Sequence, residues 1–152
     1  MNKRFLTAAL ALMVGAGYAL TAGAQAKPEI QLKWRQAAMT LQGKYFYPIR
    51  AMAQGKIPYD ANVVARNAGL VDALVKMPWD GFTPATKDLK SGALPAVYSD
   101  PAKFKEGADQ LQSEASKLAT LAKGGDEAAT KAQILAVDKV CGNCHETFRE
   151  RQ

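Results

Sequence analysis

The sequence contains little of what most metal sites and catalytic sites are built from. Its 152 residues include one histidine and two cysteines, and aromatic residues make up 8% of the chain. Two thiolates and one imidazole leave a tetrahedral structural zinc site a ligand short. No serine nucleophile, carboxylate pair or phosphate-binding loop stands out either, so we do not expect an enzyme that turns over a substrate.

Strand patterns are also missing. No segment alternates apolar and polar residues in the way that a half-buried strand requires. Apolar residues make up 48% of the chain and alanine recurs throughout, which favours helices. Because 152 residues leave room for one ordinary domain, we predict a single all-α domain.

The first residues have the parts of a secretory signal rather than of a structural helix. Lys3 and Arg4 are basic, residues 5–20 are apolar and uncharged, and small residues follow them. The apolar run is too short and wrongly flanked for a membrane span. Ala24 and Ala26 each end a small-x-small triplet of the kind that signal peptidases cleave.

We therefore predict a signal peptide over residues 1–26, cleaved after Ala24 or Ala26, and one domain over residues 27–152. A retained N-terminal anchor helix is the alternative. Export would place the mature chain in the periplasm of a Gram-negative bacterium, free of the membrane. Without Lys3 and Arg4 it keeps 18 Lys and Arg against 14 Asp and Glu, a net charge of +4, and these charges are interspersed. Nucleic-acid binding is therefore not expected.

Four segments of the mature chain have the apolar periodicity of helices, with helix caps and stops between them. Asp100 and Pro101 form an N-cap pair, for example, and the glycines at 124 and 125 end the segment that follows. A connection rich in proline and glycine, residues 78–99, separates the second helix from the third. The pattern predicts an up-down-up-down four-helix bundle. Its helices run from about Pro28 to Ala53, from Asp60 to about Met77, from Pro101 to Gly124, and from about Asp126 onward.

The first helix differs from the others because its apolar residues occupy two opposed faces. One face could pack on the bundle core and its cofactor, and the other on a second subunit. A single wide core face with a few exposed apolar residues is the alternative interpretation. The first face comprises Ile30, Trp34, Leu41, Tyr45 and Met52, and the second comprises Leu32, Met39 and Phe46, joined by Arg35 and Gly43.

The reactive residues of the chain lie together in its last helix. Cys141 and Cys144 are three residues apart on one helix face, within reach of the two vinyl groups of one porphyrin. His145 lies about 40° from Cys141 around the helix, so its imidazole can ligate the iron. This motif predicts one covalent haem c with His145 as the axial iron ligand. A helical stripe that contains Ile134, Val137, Cys141, His145 and Phe148 predicts that the haem lies inside the bundle.

A redox disulfide of the thioredoxin type is the remote alternative for the two cysteines. That motif opens a helix directly after a strand, whereas Cys141 lies deep in the last predicted helix with no strand pattern nearby. Export also favours haem, because bacteria attach haem c outside the cytoplasmic membrane.

The mature sequence resembles the cytochrome c′ family along essentially its whole length. The segments that carry the resemblance are 25–29, Arg35-Gln36 and 141–149, with weaker similarity at 55–60, 74–79 and 82–86. The resemblance implies the four-helix bundle fold of that family. It also implies a haem pocket with Arg35 and Gln36 near the propionates, Met39 over the distal face of the iron, and Thr86. Arg149, four residues after His145, is in position to place a cation near the ligand or a propionate, and Phe148 to pack beside the imidazole. A solvated cation at Arg149 and ordinary core packing of Phe148 and Met39 are the alternatives.

Met39 decides between two functions. If its thioether packs over a largely high-spin, five-coordinate iron, the resemblance implies a protein that binds NO and CO and either carries electrons or buffers NO. If Met39 is the sixth ligand, the iron is low-spin and electron transfer is the natural role. The partners implied are small redox proteins and a second copy of the chain, paired through the first two helices.

Overall fold

The four predicted helices are all present in the computed structural model, which describes residues 26–151. The predicted signal peptide therefore lies outside the described residues except for Ala26. None of the described helices is apolar enough over a sufficient length to cross a bilayer. The helices are α1 (Pro28–Ala53), α2 (Ala61–Leu74), the short α3 (Ala96–Ser99), α4 (Pro101–Gly124) and α5 (Glu127–Phe148).

Aspartate side chains begin three of the long helices. Asp60 accepts hydrogen bonds from the N–H groups of residues 62 and 63, at 2.9 and 3.0 Å. Asp100 and Asp126 accept equivalent bonds from residues 103 and 129, at 3.2 and 2.9 Å. Each carboxylate satisfies N–H groups that have no partner inside the helix and interacts favourably with the helix dipole. The predicted helix starts are therefore confirmed. At the other end of α4, Gly125 has a left-handed φ of 78°, which glycine adopts without strain.

The second helix is shorter than predicted, ending at Leu74 rather than near Met77. Pro78 disfavours helical geometry at the preceding residue, so the chain leaves the helix in a turn. Two side chains bind the carbonyl groups freed at this end. Gln42 donates to the oxygen of Leu74 at 3.1 Å, and the indole N–H of Trp79 donates to the oxygen of Val75 at 2.6 Å.

The long helices form an up-down-up-down bundle in which α1 packs on α2, α2 on α4, α4 on α5, and α5 back on α1. Their apolar stripes meet in one core, as the predicted periodicity requires. Fully buried members of this core come from each of the long helices: Ile49, Val64, Val71, Leu118, Ile134 and Val137.

Only one side of α1 is buried within the chain. Phe46, Ile49 and Met52 are in the core, whereas Trp34 on the outer side is 62% exposed and Leu41 is also exposed. The predicted division into two faces is therefore only partly right, because Met52, which was placed on the same face as Trp34 and Leu41, is buried in the core with Phe46 of the other face. A second subunit on the outer face stays a prediction.

The connection between α2 and α4 wraps one end of the bundle. It contains two 3₁₀ turns, Trp79–Gly81 and Pro84–Thr86, both packed on α1. Its later part pairs with the end of α5: the N–H of Leu94 donates to the oxygen of Phe148, and the N–H of Glu150 donates to the oxygen of Gly92, each at 2.9 Å. This short pairing is an isolated bridge, and residues 26–151 contain no strand.

The connection approaches α1 closely at Gly81. A Cβ atom at this position would lie 2.7 Å from the Cβ of Arg35 and 2.8 Å from the backbone oxygen of Gln31. Atoms of a helix backbone and of a buried side chain cannot move away at low cost. The residue type at position 81 therefore sets how closely the connection covers α1.

We expect Gly81→Ala to lower the free energy of unfolding by about 1–3 kcal/mol, because the added methyl group overpacks this contact. Gly69→Ala is the matched control, since a Cβ there meets nothing within 4 Å and Gly69 lies inside α2. The control should be neutral or stabilising by up to about 1 kcal/mol. Chemical denaturation of both variants tests the contact, and equal effects would contradict it.

Candidate functional site

A cavity of about 690 Å³ lies between α1, the 78–99 connection, α4 and α5. Its size is within the range of about 300–1,000 Å³ that cofactor sites occupy. Eight of the nine predicted site residues line it: Arg35, Gln36, Met39, Cys141, Cys144, His145, Phe148 and Arg149. The ninth, Thr86, is fully buried behind Arg35 rather than in the cavity wall.

The α5 wall of the cavity carries both thiols and the imidazole. Cys141 and Cys144 are free and partly buried. His145 lines the cavity and is more exposed than its position on an apolar stripe predicts. A Cβ at Gly107 of α4 would come to 3.6 Å from the Sγ of Cys144. The glycine therefore leaves space beside this thiol, as a group bonded to sulfur requires.

The protonation states at this wall suit covalent attachment and metal ligation. Burial, with a smaller contribution from the carboxylate of Asp138, raises the pKa of Cys141 to about 11. Burial also raises the pKa of Cys144. Partial burial lowers the pKa of His145, with a smaller effect from the cation of Arg149. At neutral pH the thiols are protonated and the imidazole is neutral, which is the form that binds metals.

The raised thiol pKa values argue against a disulfide oxidoreductase. The attacking cysteine of such a protein needs a lowered pKa, because the thiolate is the nucleophile. Cys141 has the opposite shift, and its motif lies in the last two turns of α5 rather than at a helix start.

The opposite side of the cavity is dominated by the buried guanidinium of Arg35, which is 3% exposed. Nη1 donates to the oxygen of Gly81 at 2.6 Å and to the hydroxyl groups of Thr86 and Tyr98 at 2.9 and 3.1 Å. Nη2 donates to the hydroxyl group of Ser91 at 3.1 Å. All of these partners are neutral.

The Arg35 guanidinium also lies 4.4 Å from the centre of the Phe82 ring. A buried cation is costly unless an anion neutralises it. Since Arg35 lines the cavity and its partners in the described structure carry no charge, the site is suited to a ligand that brings carboxylates.

A connected set of aromatic rings completes the apolar wall. Phe104 of α4 lies at its centre, 5.8 Å from Trp79, 4.9 Å from Phe82 and 5.2 Å from Phe148, measured between ring centres. Of these rings, only Phe148 was predicted as a site residue. Phe104 begins the apolar stripe of the third predicted helix, so its position in the sequence indicates only an ordinary core residue. Trp79 and Phe82 lie in the connection, where helical periodicity gives no prediction.

The α1 wall follows one of the two faces predicted for that helix. Arg35, Met39, Gly43 and Phe46, which the helical projection grouped together, all line the cavity. Leu32 of the same predicted face does not. Tyr47 also lines the cavity, although neither periodicity nor resemblance selected it.

A helical bundle whose last helix presents two thiols and an imidazole to a cofactor-sized cavity defines a helical cytochrome of the c type. The family model described as Cytochrome C' matches residues 31–149. A cytochrome c′ from Rubrivivax gelatinosus is 42% identical over 126 residues, covering 82% of this chain and 98% of the relative. The chain belongs to the cytochrome c′ family, which carries covalently bound haem c.

Solved structures agree with this assignment. The crystal structure of the Rubrivivax gelatinosus protein matches with a TM-score of 0.77 over 82% of this chain and 98% of that one. A cytochrome c′ from Shewanella frigidimarina matches with a TM-score of 0.80 at 31% identity, over 84% and 99%. A nitric oxide complex of a cytochrome c′ variant from Alcaligenes xylosoxidans matches with a TM-score of 0.75 at 33% identity, over 83% and 98%.

We expect Arg35→Met to lower the free energy of unfolding by about 2–4 kcal/mol, because it removes the four hydrogen bonds that join α1 to the connection. Arg66→Met is the matched control. Arg66 is exposed and bonds only to its neighbour Asn67, so its loss should change stability by no more than about 0.5 kcal/mol. Denaturant unfolding of the two purified variants measures the difference, and a small effect at Arg35 would show that its contacts are dispensable.

Proposed function

We propose that this chain is a periplasmic c-type cytochrome with a largely high-spin, five-coordinate haem that binds NO and CO. The observation that carries the proposal is the shared cavity, to which α5 contributes Cys141, Cys144 and His145 while α1 contributes Met39. The haem supplies an iron with one position open to a small ligand. The protein carries electrons or buffers NO rather than turning over a substrate.

On the α5 side, the two cysteines hold the haem and His145 ligates its iron. Thioether formation adds each S–H group across a vinyl group, so protonated thiols are the appropriate starting form. His145 is neutral at physiological pH because its pKa is lowered. Phe148 and Arg149 line the same wall, where they pack beside the ligand and place a cation near it.

Arg35 and Gln36 bind the haem propionates in this proposal. The support is the buried Arg35 charge, which has hydrogen bonds only to neutral oxygens and faces the cavity. Thr86 contributes indirectly, because it accepts from Arg35 and itself donates to backbone oxygens of the connection. Its role is to orient Arg35 rather than to touch the haem.

The ligand side of the iron has few free hydrogen-bond donors. Thr40 donates to the oxygen of Gln36 at 2.9 Å, and Gln42 donates to that of Leu74. Bound dioxygen develops negative charge and needs a donor, whereas NO and CO bind without one. The nitric oxide complex of the Alcaligenes relative supports the same ligand class.

Ligation of the iron by Met39 is the second candidate. Its thioether lines the same cavity as His145 and comes from a different helix, so both could approach one iron. The haem would then be low-spin and closed to gases, and the protein would transfer electrons to small redox proteins.

Export and dimerisation are further parts of the proposal. Residues 1–26 have the composition of a cleavable signal, which would deliver residues 27–152 to the periplasm. The outer side of α1 exposes Trp34 and Leu41, seven residues apart, and Leu70 of α2 and Met77, which follows that helix, are exposed as well. Exposed apolar residues in the first two helices are what a subunit interface formed by those helices requires.

Optical spectra of the holoprotein test the ligation state. We expect a pyridine haemochrome, no free thiols, a high-spin ferric spectrum and a ferrous form that binds CO. Met39→Leu should leave the spin state unchanged, because the thioether does not bind the iron. A low-spin spectrum that Met39→Leu converts to high-spin would establish Met39 as an iron ligand. Free thiols without a haemochrome would contradict both ligation states, because no haem would be attached.

We expect Trp34→Lys to weaken dimerisation roughly tenfold or more, since burying an unpaired ammonium group costs several kcal/mol. Leu135→Lys is the control, because Leu135 is an exposed apolar residue of α5 rather than of α1 or α2. Sedimentation equilibrium at micromolar concentration measures both variants. A wild-type protein that sediments as a monomer would contradict the dimer.

A further inference from the structure

Tyr47 is a large aromatic side chain that both lines the cavity and is exposed to solvent. Its side chain is 57% exposed, yet it lines the cavity that also contains Met39 and His145. It lies eight residues after Met39 on the same wall. Because the ring is exposed and also lines the cavity, it lies at the rim of the cavity.

The Tyr47 ring can lie against the α1 backbone because Gly43 has no side chain there. A Cβ at Gly43 would lie 3.0 Å from Cε2 of the Tyr47 ring and 3.2 Å from its Cζ. Helical side chains point toward the N-terminus, so the ring of residue 47 covers the turn that contains residue 43. Gly43 itself lines the cavity, so the ring covers a part of the rim that would otherwise be bare backbone.

An ion pair between two helices holds the other side of the ring. The Arg50 guanidinium lies 5.1 Å from the ring centre of Tyr47, and its Nη1 is 3.1 Å from Oδ1 of Asp138 on α5. Both charged side chains are partly exposed, and ion pairs of this kind are weak. The ring is therefore restrained rather than fixed, which suits a side chain that moves aside for a small ligand.

We propose that the Tyr47 ring, seated on Gly43 and restrained by Arg50 and Asp138, is the residue that limits which ligands enter the cavity and how fast. This inference rests on the gas binding proposed above. Diatomic ligands pass the Tyr47 ring when it makes small movements. Ligands with more atoms pass only when the ring moves away from its contact with Gly43. Tyr47 is thus a specificity-determining residue for ligand entry, and it does not touch the iron.

The test compares CO association after flash photolysis with imidazole binding to the ferric haem, in the wild type and in Tyr47→Ala. We expect Tyr47→Ala to raise the CO association rate roughly three- to tenfold, as removal of a restricting side chain does. Imidazole affinity should rise by a larger factor, because the ring excludes larger ligands more strongly. The ferric spin state should stay unchanged.

Three further variants isolate the contribution of the ring. Tyr47→Phe keeps the ring and should retain wild-type rates, and Leu135→Ala removes an exposed apolar side chain outside the cavity and should also have no effect. Asp138→Asn releases Arg50 and should raise the CO rate by less than Tyr47→Ala. In the Asp138→Asn variant, paramagnetic relaxation of the Tyr47 ring protons by the ferric haem should slow, which reports the ring position without any added ligand.

The outcomes distinguish this inference from the function on which it rests. If CO binds but Tyr47→Ala leaves both the CO rate and the imidazole affinity unchanged, the access role is wrong and gas binding stands. An increase in Tyr47→Phe as large as in Tyr47→Ala would overturn the role of the ring, since only the hydroxyl group differs. If the wild-type haem takes no CO at all, gas binding is wrong and the access role falls with it.

Discussion

The buried guanidinium of Arg35 is the interaction on which the rest of the site depends. It joins α1 to four oxygens of the 78–99 connection, and the residues it contacts span both 3₁₀ turns, the later loop and α3. An uncharged or shorter side chain could not hold these segments at once, because the planar guanidinium directs its donors in several fixed directions. The connection lacks a regular hydrogen-bonding ladder, so Arg35 supplies the order that a strand or a helix would otherwise provide.

The same interaction determines the chemistry of the cavity. The buried Arg35 cation, which has only neutral partners, favours an anionic ligand. Arg35 lines one side of the cavity, and the two thiols and the imidazole line another side. In the proposed function, electrostatic and covalent binding of the haem therefore belong to different helices, α1 and α5. Residues of the connection and the aromatic rings line the cavity between them. A haem has this distribution of groups, with carboxylates at one edge and vinyl groups at another.

The helices could be predicted from the sequence because their signals are local. Asp60, Asp100 and Asp126 cap helices through neighbouring N–H groups, and the spacing of Cys141, Cys144 and His145 fixes their common face. Contacts made across the bundle could not be predicted in this way. The burial of Arg35 and its close contact with Gly81 depend on the path of the connection, which the apolar pattern does not predict. In the sequence Tyr47 looks like an exposed residue, and only the structure shows its contact with Gly43 and the nearby ion pair of Arg50 with Asp138. Thr86, selected by resemblance alone, lies behind the cavity wall rather than in it.

The pairing of the connection with the end of α5 has a practical consequence for handling the protein. Arg149 lines the cavity, and the next residue, Glu150, is hydrogen-bonded to Gly92 of the opposite segment. A segment fused to the C-terminus begins only a few residues along the chain from Arg149 and its cavity wall. An affinity tag there adds histidines close in sequence to the proposed iron site, so the purification strategy and the optical spectrum are not independent for this chain.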